Sequence, residues 1–192
     1  NPSVPVKTVA EFIAYAKANP AKLAYASAGS GSTNHLSAEI FKRASGIDML
    51  HVPYKGGAPA VLDTVANQTQ VLFTAGTQAL PHVKSGKLTL LAVTEPKRAS
   101  LLPDVPAVAE TLPGFNMSVW YGAYGPAGMP RDVLMRLNAE IAKALAVPEV
   151  RARMDAMGVE VVSSSPEQHA STLRQDAERF DKIIKELKIK LD

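Results

Sequence analysis

The sequence predicts an α/β fold built on parallel strands, and two observations carry that reading. Short apolar runs alternate with helical patterns three times between Leu23 and Val93. Such alternation means parallel strands joined by crossover helices. Each of the first three runs also ends in a stretch of small residues: 27–33, 53–58 and 74–78. In open parallel sheets, ligands sit beyond the carboxyl ends of the strands, so the three loops can converge on one rim.

The elements follow in order. Thr8-Val9-Ala10-Glu11 has the pattern of a capping box. Val9, Phe12, Ile13 and Ala16 recur at helical spacing, and Asn19-Pro20 stops that helix. Leu23 to Ala26 reads as a buried strand, Ser27 to Thr33 as its loop, and Leu36, Ile40 and Ala44 as the stripe of the next helix. Ser32 or Thr33 can cap this helix and Gly46 can end it. Met49 to Val52 is a second strand, and Pro53-Tyr54-Lys55-Gly56-Gly57-Ala58 leads into a helix with Pro59 in its first position. Gln70 to Phe73 is a third strand, Ala79 to Val83 a short helix ended by Gly86, and Leu88 to Val93 a fourth strand.

From Thr94 to Phe115 four prolines make the chain irregular. Val119 to Tyr124 reads as a strand, Pro130 starts a helix with the apolar face Val133, Leu137, Ile141 and Leu145, and Pro148 opens another that Gly158 ends. Val159 to Val162 is a brief strand, and Ser165-Pro166-Glu167-Gln168 a second capping box. The last helix carries the seam Leu173, Ala177, Phe180, Ile184, Leu187 and Leu191. Its spacing is a heptad, but about three heptads suit packing on a parent domain better than a coiled coil. The boundary is placed so that 1–118 forms one α/β part and 119–192 a second, mainly helical one.

The 27–33 loop is where chemistry is most legible. Strand, Gly/Ser loop and helix N-terminus together offer unpaired N–H groups and the positive end of a helix dipole to an anion. Gly29 and Gly31 permit close backbone approach, and Ser27, Ser30 and Ser32 add hydroxyls. Asn34 stands where a dinucleotide fingerprint places its third glycine, and the Lys-Ser/Thr end of a P-loop is absent. A small carboxylate or inorganic anion therefore fits better than a nucleotide; a flexible connection without ligand is the alternative. Lys55 either attracts an anion or is merely solvated.

Other classes find little support. A net charge of +3 over 192 residues does not argue for nucleic acid. No run of eighteen apolar residues occurs, so no membrane span is expected. The chain has no cysteine, which excludes disulfides and thiolate chemistry. It starts at Asn1 without a visible signal peptide and reads as processed or truncated. His35, His51, His82 and His169 lie in separate elements without the spacing of a zinc helix, so no metal is expected, and His35 alone neighbours the loop. Ser30 between two glycines only superficially resembles a nucleophile elbow. Trp120 and Tyr121 line a cleft or pack in a core.

Two stretches carry a resemblance: Tyr25-Ala26-Ser27-Ala28-Gly29-Ser30-Gly31-Ser32 with His35-Leu36, and His51-Val52-Pro53-Tyr54-Lys55-Gly56-Gly57-Ala58-Pro59-Ala60. Gly86-Lys87-Leu88, Leu91-Ala92-Val93-Thr94, Leu102 to Glu110, Trp120-Tyr121-Gly122 and Pro126 to Pro130 follow in order. Together they resemble the Bug family, the TctC-type periplasmic solute-binding receptors of tripartite tricarboxylate transporters. The resemblance implies a periplasmic-binding-protein-like, Venus-flytrap fold with parallel-rich sheets. Residues 1–118 would be its second, ligand-binding lobe and 119–192 the C-terminal part of its first, whose N-terminal part is missing. It further implies a periplasmic binding protein rather than an enzyme, without cofactor, that takes a small carboxylate (a di- or tricarboxylate, amino acid or aromatic acid) to membrane transporter subunits. The implied ligand-binding residues are Ser27, Gly29, Ser30, Gly31, Ser32, His35, Tyr54, Lys55, Gly56 and Thr74. Many relatives carry an acidic residue where Thr74 stands, and Met129 replaces a usual Thr. An α/β enzyme holding an anionic substrate on loop 27–33 is the rival. A lone lobe is expected to bind weakly or not at all and, with apolar surface uncovered near Trp120 and along the terminal seam, to self-associate.

Overall fold

The computed structural model describes residues 1–187 and 189. The described chain divides into two compact units, Asn1–Val119 together with Leu187, and Trp120–Glu186. In the first, helix α1 (Val9–Ala18) precedes strand β1 (Ala24–Ser27), helix α2 (Thr33–Ser45), strand β2 (Leu50–Pro53), helix α3 (Gly57–Val65), strand β3 (Val71–Leu72) and helix α4 (Gly76–Lys84). A short 3-10 turn follows at Val108–Glu110. The second unit holds α5 (Arg131–Ala146), α6 (Pro148–Ala156) and α7 (Pro166–Leu187).

The sheet has the order β2-β1-β3, and both pairings are parallel. Tyr25 of β1 lies between His51 and Val71, and Ser27 lies opposite Pro53. Because β1 is central, the chain steps to one side for β2 and back across for β3. Right-handed crossovers then put α2 and α3 on opposite faces. The α2 face holds most of the core. Leu23, Tyr25, Leu36, Phe41, Met49 and Met117 are all buried. Phe41 meets Phe12, Phe73 and Phe115 with ring centroids 5.5–6.1 Å apart. On the α3 face, Ala60 and Val61 are buried beside a threonine pair, Thr64 and Thr69, whose hydroxyls bond at 2.8 Å.

The sequence signals place the helix ends well. The Thr8 side chain accepts from Glu11 N, and Ser32 accepts from His35 N. Gly46, at φ 65°, ends α2 in the left-handed conformation. Ser165 and Gln168 close a reciprocal capping box at the start of α7. The third helix begins two residues earlier than Pro59 implies, at Gly57, and the fourth begins at Gly76.

Three expected strands are absent among the described residues. Over 88–93 only Val93 is bridged, to Ala107. Val93 N donates to Pro106 O, and Val108 N to Val93 O. The partner segment contains Pro103 and Pro106, which lack the N–H that a longer ladder requires. The runs 119–124 and 159–162 carry strand-like side chains but no ladder partner, so they are extended connections. Periodicity reports a buried face, whereas a strand also needs a neighbour.

The second unit lacks a buried interior: none of the residues 120–186 is buried. On α5, Val133, Leu137 and Ile141 recur every four residues and are each more than two-fifths exposed. Leu173 on α7 is 42% exposed, whereas Phe180, Ile184 and Leu187 of the same seam are half-buried; its last member, Leu191, lies outside the described residues. No described helix is long and apolar enough to cross a membrane.

Candidate binding rim

The three small-residue loops follow the carboxyl ends of three adjacent parallel strands, and specific contacts tie them together. A Cβ placed on Gly29 would sit 3.5 Å from Tyr54 O, which brings the first loop against the second. A Cβ on Gly57 would come within 2.6 Å of the Gln78 side chain, which brings the second against the third. The Asn34 side-chain amide donates to Phe73 O and ties the start of α2 to the end of β3. Gly29 and Gly56 have φ of 122° and 117°, a region that L side chains rarely adopt, so the sharp turns there need glycine.

Much of the first loop is bonded to itself. Ser27 has no accessible surface, and its hydroxyl lies 2.6 Å from His51 Nε2 and 3.2 Å from both Gly29 N and Gly29 O. Ser32 Oγ donates to Gly29 O at 2.7 Å while capping α2. Gly31 N donates to His35 Nδ1 at 3.0 Å. Ser27, Gly29, Gly31, Ser32 and His35 therefore form a self-consistent scaffold. Ser30 is half-buried on the same loop.

The other two loops differ. Gly56 and Ala75 are the N-cap residues of α3 and α4, and neither helix has a side-chain cap. Their first-turn N–H groups lack the intrahelical partners that later turns enjoy. Lys55 is exposed beside Gly56, and Tyr54 is half-buried. Burial first, then a hydrogen bond to Asp63, raises the pKa of the Tyr54 phenol. Thr74 donates to Gln78 Oε1 at 2.6 Å across the turn into α4.

Beneath the rim lies a polar stack that the sequence reading places only in part. His35 and His51 rings are parallel with centroids 4.1 Å apart, and Tyr25 stacks on His51 at 4.8 Å. Tyr25 OH donates to Glu39 at 2.6 Å. Burial, and then the Glu39 contact, push the Tyr25 phenol far above its ordinary range. Burial works against the charge of Lys42, but Glu39 and Asp48, at 2.9 and 3.2 Å, outweigh it and hold its pKa above the usual value. His51 thus neighbours the loop as closely as His35 does, contrary to the expectation that His35 alone would. The strand register holds the missing signal: His51 pairs with Tyr25, two residues before Ser27 on the same face. Asn34 was legible only as a departure from a nucleotide fingerprint.

In the second unit, Trp120 Nε1 donates to Asp176 at 2.7 Å, and the Trp120 ring meets His169 edge-on at 4.9 Å. Gly122 leaves room for His169, because a Cβ there would come within 2.6 Å of its ring. Tyr121 is 71% exposed and belongs to no core of the described residues.

Comparison with known proteins adds a family. A profile described as "Tripartite tricarboxylate transporter family receptor" matches residues 1–189. The UPF0065 protein in the tcbD-tcbE intergenic region of Pseudomonas sp. strain P51 is 36% identical over 185 residues, covering 95% of this chain and 55% of that protein. The structure titled "R. palustris Rpa4515 with adipate" superposes with a TM-score of 0.92 at 31% identity, covering 99% of this chain and 64% of that one. The periplasmic binding protein BugD gives 0.87 at 31% identity, with 98% and 64% covered. The chain spans a little over half the length of most of the curated relatives it matches. Strand order, loops and overall likeness agree on one conclusion: this chain belongs to the tripartite tricarboxylate transporter receptor family, the Bug/TctC solute-binding proteins.

Proposed function

We propose that this chain is the larger part of a periplasmic solute-binding protein that captures a small di- or tricarboxylate. The whole protein would deliver it to the membrane subunits of a tripartite tricarboxylate transporter. One observation carries the reading: three loops meet on one rim, and two of them lead into helix N-termini without a side-chain cap. A carboxylate there accepts hydrogen bonds from N–H groups and gains from the helix dipoles. Ser30, Tyr54, Lys55, Gly56 and Thr74 face the ligand in this reading. Ser27, Gly29, Gly31, Ser32 and His35 hold the loop that completes the rim. The neighbour solved with adipate and the periplasmic title of BugD support ligand class and compartment.

The Ser27–His51 distance of 2.6 Å would suit a nucleophile and its base, but Ser27 has no accessible surface. The pair serves as a structural strut, which favours a binder over the rival α/β enzyme.

In this reading 1–118 is the ligand-binding lobe, and 119–192 completes another lobe with chain beyond these residues. The unburied second unit and the partial coverage of the relatives support it. Calorimetry with adipate and a panel of di- and tricarboxylates, on this chain and on a full-length relative's counterpart, is the test. Losing about three hydrogen bonds from a missing lobe weakens binding by about tenfold to more than a thousandfold. Absence of carboxylate binding in the longer protein would refute the function. Equal affinity in both would refute the division of the site between lobes.

A further inference from the structure

Both glycines of the first loop hang on histidine rings. Gly31 N–H donates directly to His35 Nδ1, and Gly29 is tied through Ser27 Oγ to His51 Nε2. The two rings stack on each other, and His35 is 8% exposed. We propose that His35 is a positioning residue for loop 27–33 and holds it in its ligand-receiving form only while Nδ1 is unprotonated.

The chemistry follows from the donor inventory. A neutral imidazole offers one acceptor nitrogen, whereas an imidazolium is a donor at both. The Gly31 contact requires an acceptor at Nδ1, which leaves the proton of the neutral ring on Nε2. Protonating His35 would set an N–H against the Gly31 N–H, and the contact would break. Gly31, at φ 78°, has the backbone freedom to move away. The surroundings add to this. A charge on His35 would lie in a largely buried site, 4.1 Å from the His51 ring, so charging both rings together is disfavoured. Around the stack the described contacts place Glu39 and Lys42 from α2 and Asp48 from the turn that follows, all on the side of Tyr25 from β1. Glu39 and Asp48 both engage Lys42, so the acidic side of the cluster is partly neutralised.

The proposal rests on the reading that this rim receives a carboxylate, and it makes an unusual sign prediction. A histidine touching an anion would strengthen binding on acidification, because imidazolium attracts carboxylate. A histidine that positions the loop weakens binding instead.

Long-range proton–nitrogen spectra of the 192-residue chain without ligand are the first test. They should show His35 with a bare Nδ1, and the Gly31 amide should shift on acidification with the midpoint of the His35 ring. A proton on Nδ1 at neutral pH, or a Gly31 amide indifferent to that titration, overturns the proposal. Two variants form the second test. His35→Asn keeps an acceptor at the δ position that does not titrate; His35→Leu removes it. Adipate affinity of the unsubstituted chain should fall about two- to tenfold on acidification from about pH 7.5 to about pH 5.5. H35N should be flat across that range, and H35L weak by a similar factor at both ends. Affinity that rises on acidification, or an H35L chain that binds and titrates like the unsubstituted one, overturns the role. If the unsubstituted chain binds no adipate at either pH, as a lone lobe would, the carboxylate reading is decided on the longer protein and the spectra alone decide on His35.

Discussion

Serines 27 and 30 are three residues apart on one loop, and the structure gives them opposite duties. Ser27 is fully buried, with its hydroxyl committed to His51 and Gly29; Ser30 is half-buried on the rim. Ser27→Ala would strip a half-buried histidine, His51, and a loop N–H of their shared partner. Leaving such groups unsatisfied costs about 1–3 kcal/mol. With a urea dependence of about 2 kcal/mol per molar for a domain of this size, the unfolding midpoint should drop by about 0.5–1.5 M. Ser30→Ala removes a surface hydroxyl and should change stability by less than about 0.5 kcal/mol. If Ser30 faces the carboxylate, the same change should weaken adipate binding by about two- to tenfold. Urea denaturation followed by circular dichroism, paired with calorimetry, separates the two. The reasoning fails if S27A unfolds at the unsubstituted midpoint, or if S30A leaves affinity unchanged while lowering stability.

Other outcomes follow from the same geometry. Val at both Gly29 and Gly31 places side chains at φ 122° and 78°, each costing about 1–3 kcal/mol of backbone strain, and should abolish adipate binding by calorimetry. Phe41→Ala empties the centre of four aromatic rings and should destabilise the first unit by about 3–5 kcal/mol in thermal or urea melts. Glu110 is held down to about 2, first by the Arg98 side chain and then by the Ala107 N–H. The carboxylate binds protons less readily when folded than when unfolded. Its contribution is therefore complete above the ordinary value of 4.5 and lost as pH falls towards about 2; Glu110→Gln should flatten that part of the stability–pH curve. Leu137→Lys, on the uncovered stripe of α5, should leave the melting of this chain nearly unchanged but destabilise a longer protein that covers the stripe.

What the sequence made legible was mostly local. Caps at Thr8, Ser32 and Ser165 and the stop at Gly46 are each a short-range contest between side chain and backbone, so residue identity decides them. The convergence of three loops was also readable, because parallel alternation forces strand ends to one side. The misjudged strands at 88–93, 119–124 and 159–162 depended on a partner that no local pattern reports. The reading of the first loop as a bare anion cradle missed its internal bonding for a similar reason. Ser27 meets His51 across 24 residues, and only the register of β1 against β2 makes that contact. The position of His51 shows the limit sharply: it looked isolated in the chain and sits in the middle of a polar stack.

The central place of β1 also sets where the sheet gives way first. Tyr25 and Ala26 are laddered on both sides, to β2 over four residues and to β3 over only two. Local opening scales with how little a segment buries and how few bonds hold it. Val71 and Leu72 are only half-buried, so β3 is the shallow end of a gradient of opening free energy across the sheet. The turn at 73–75 rides on that weak strand, restrained by the Asn34 tether to Phe73 O. Under hydrogen exchange, β1 amides should outlast those of β3. The side of the rim that yields to an arriving solute is then the third loop, while the first stays fixed on its histidines.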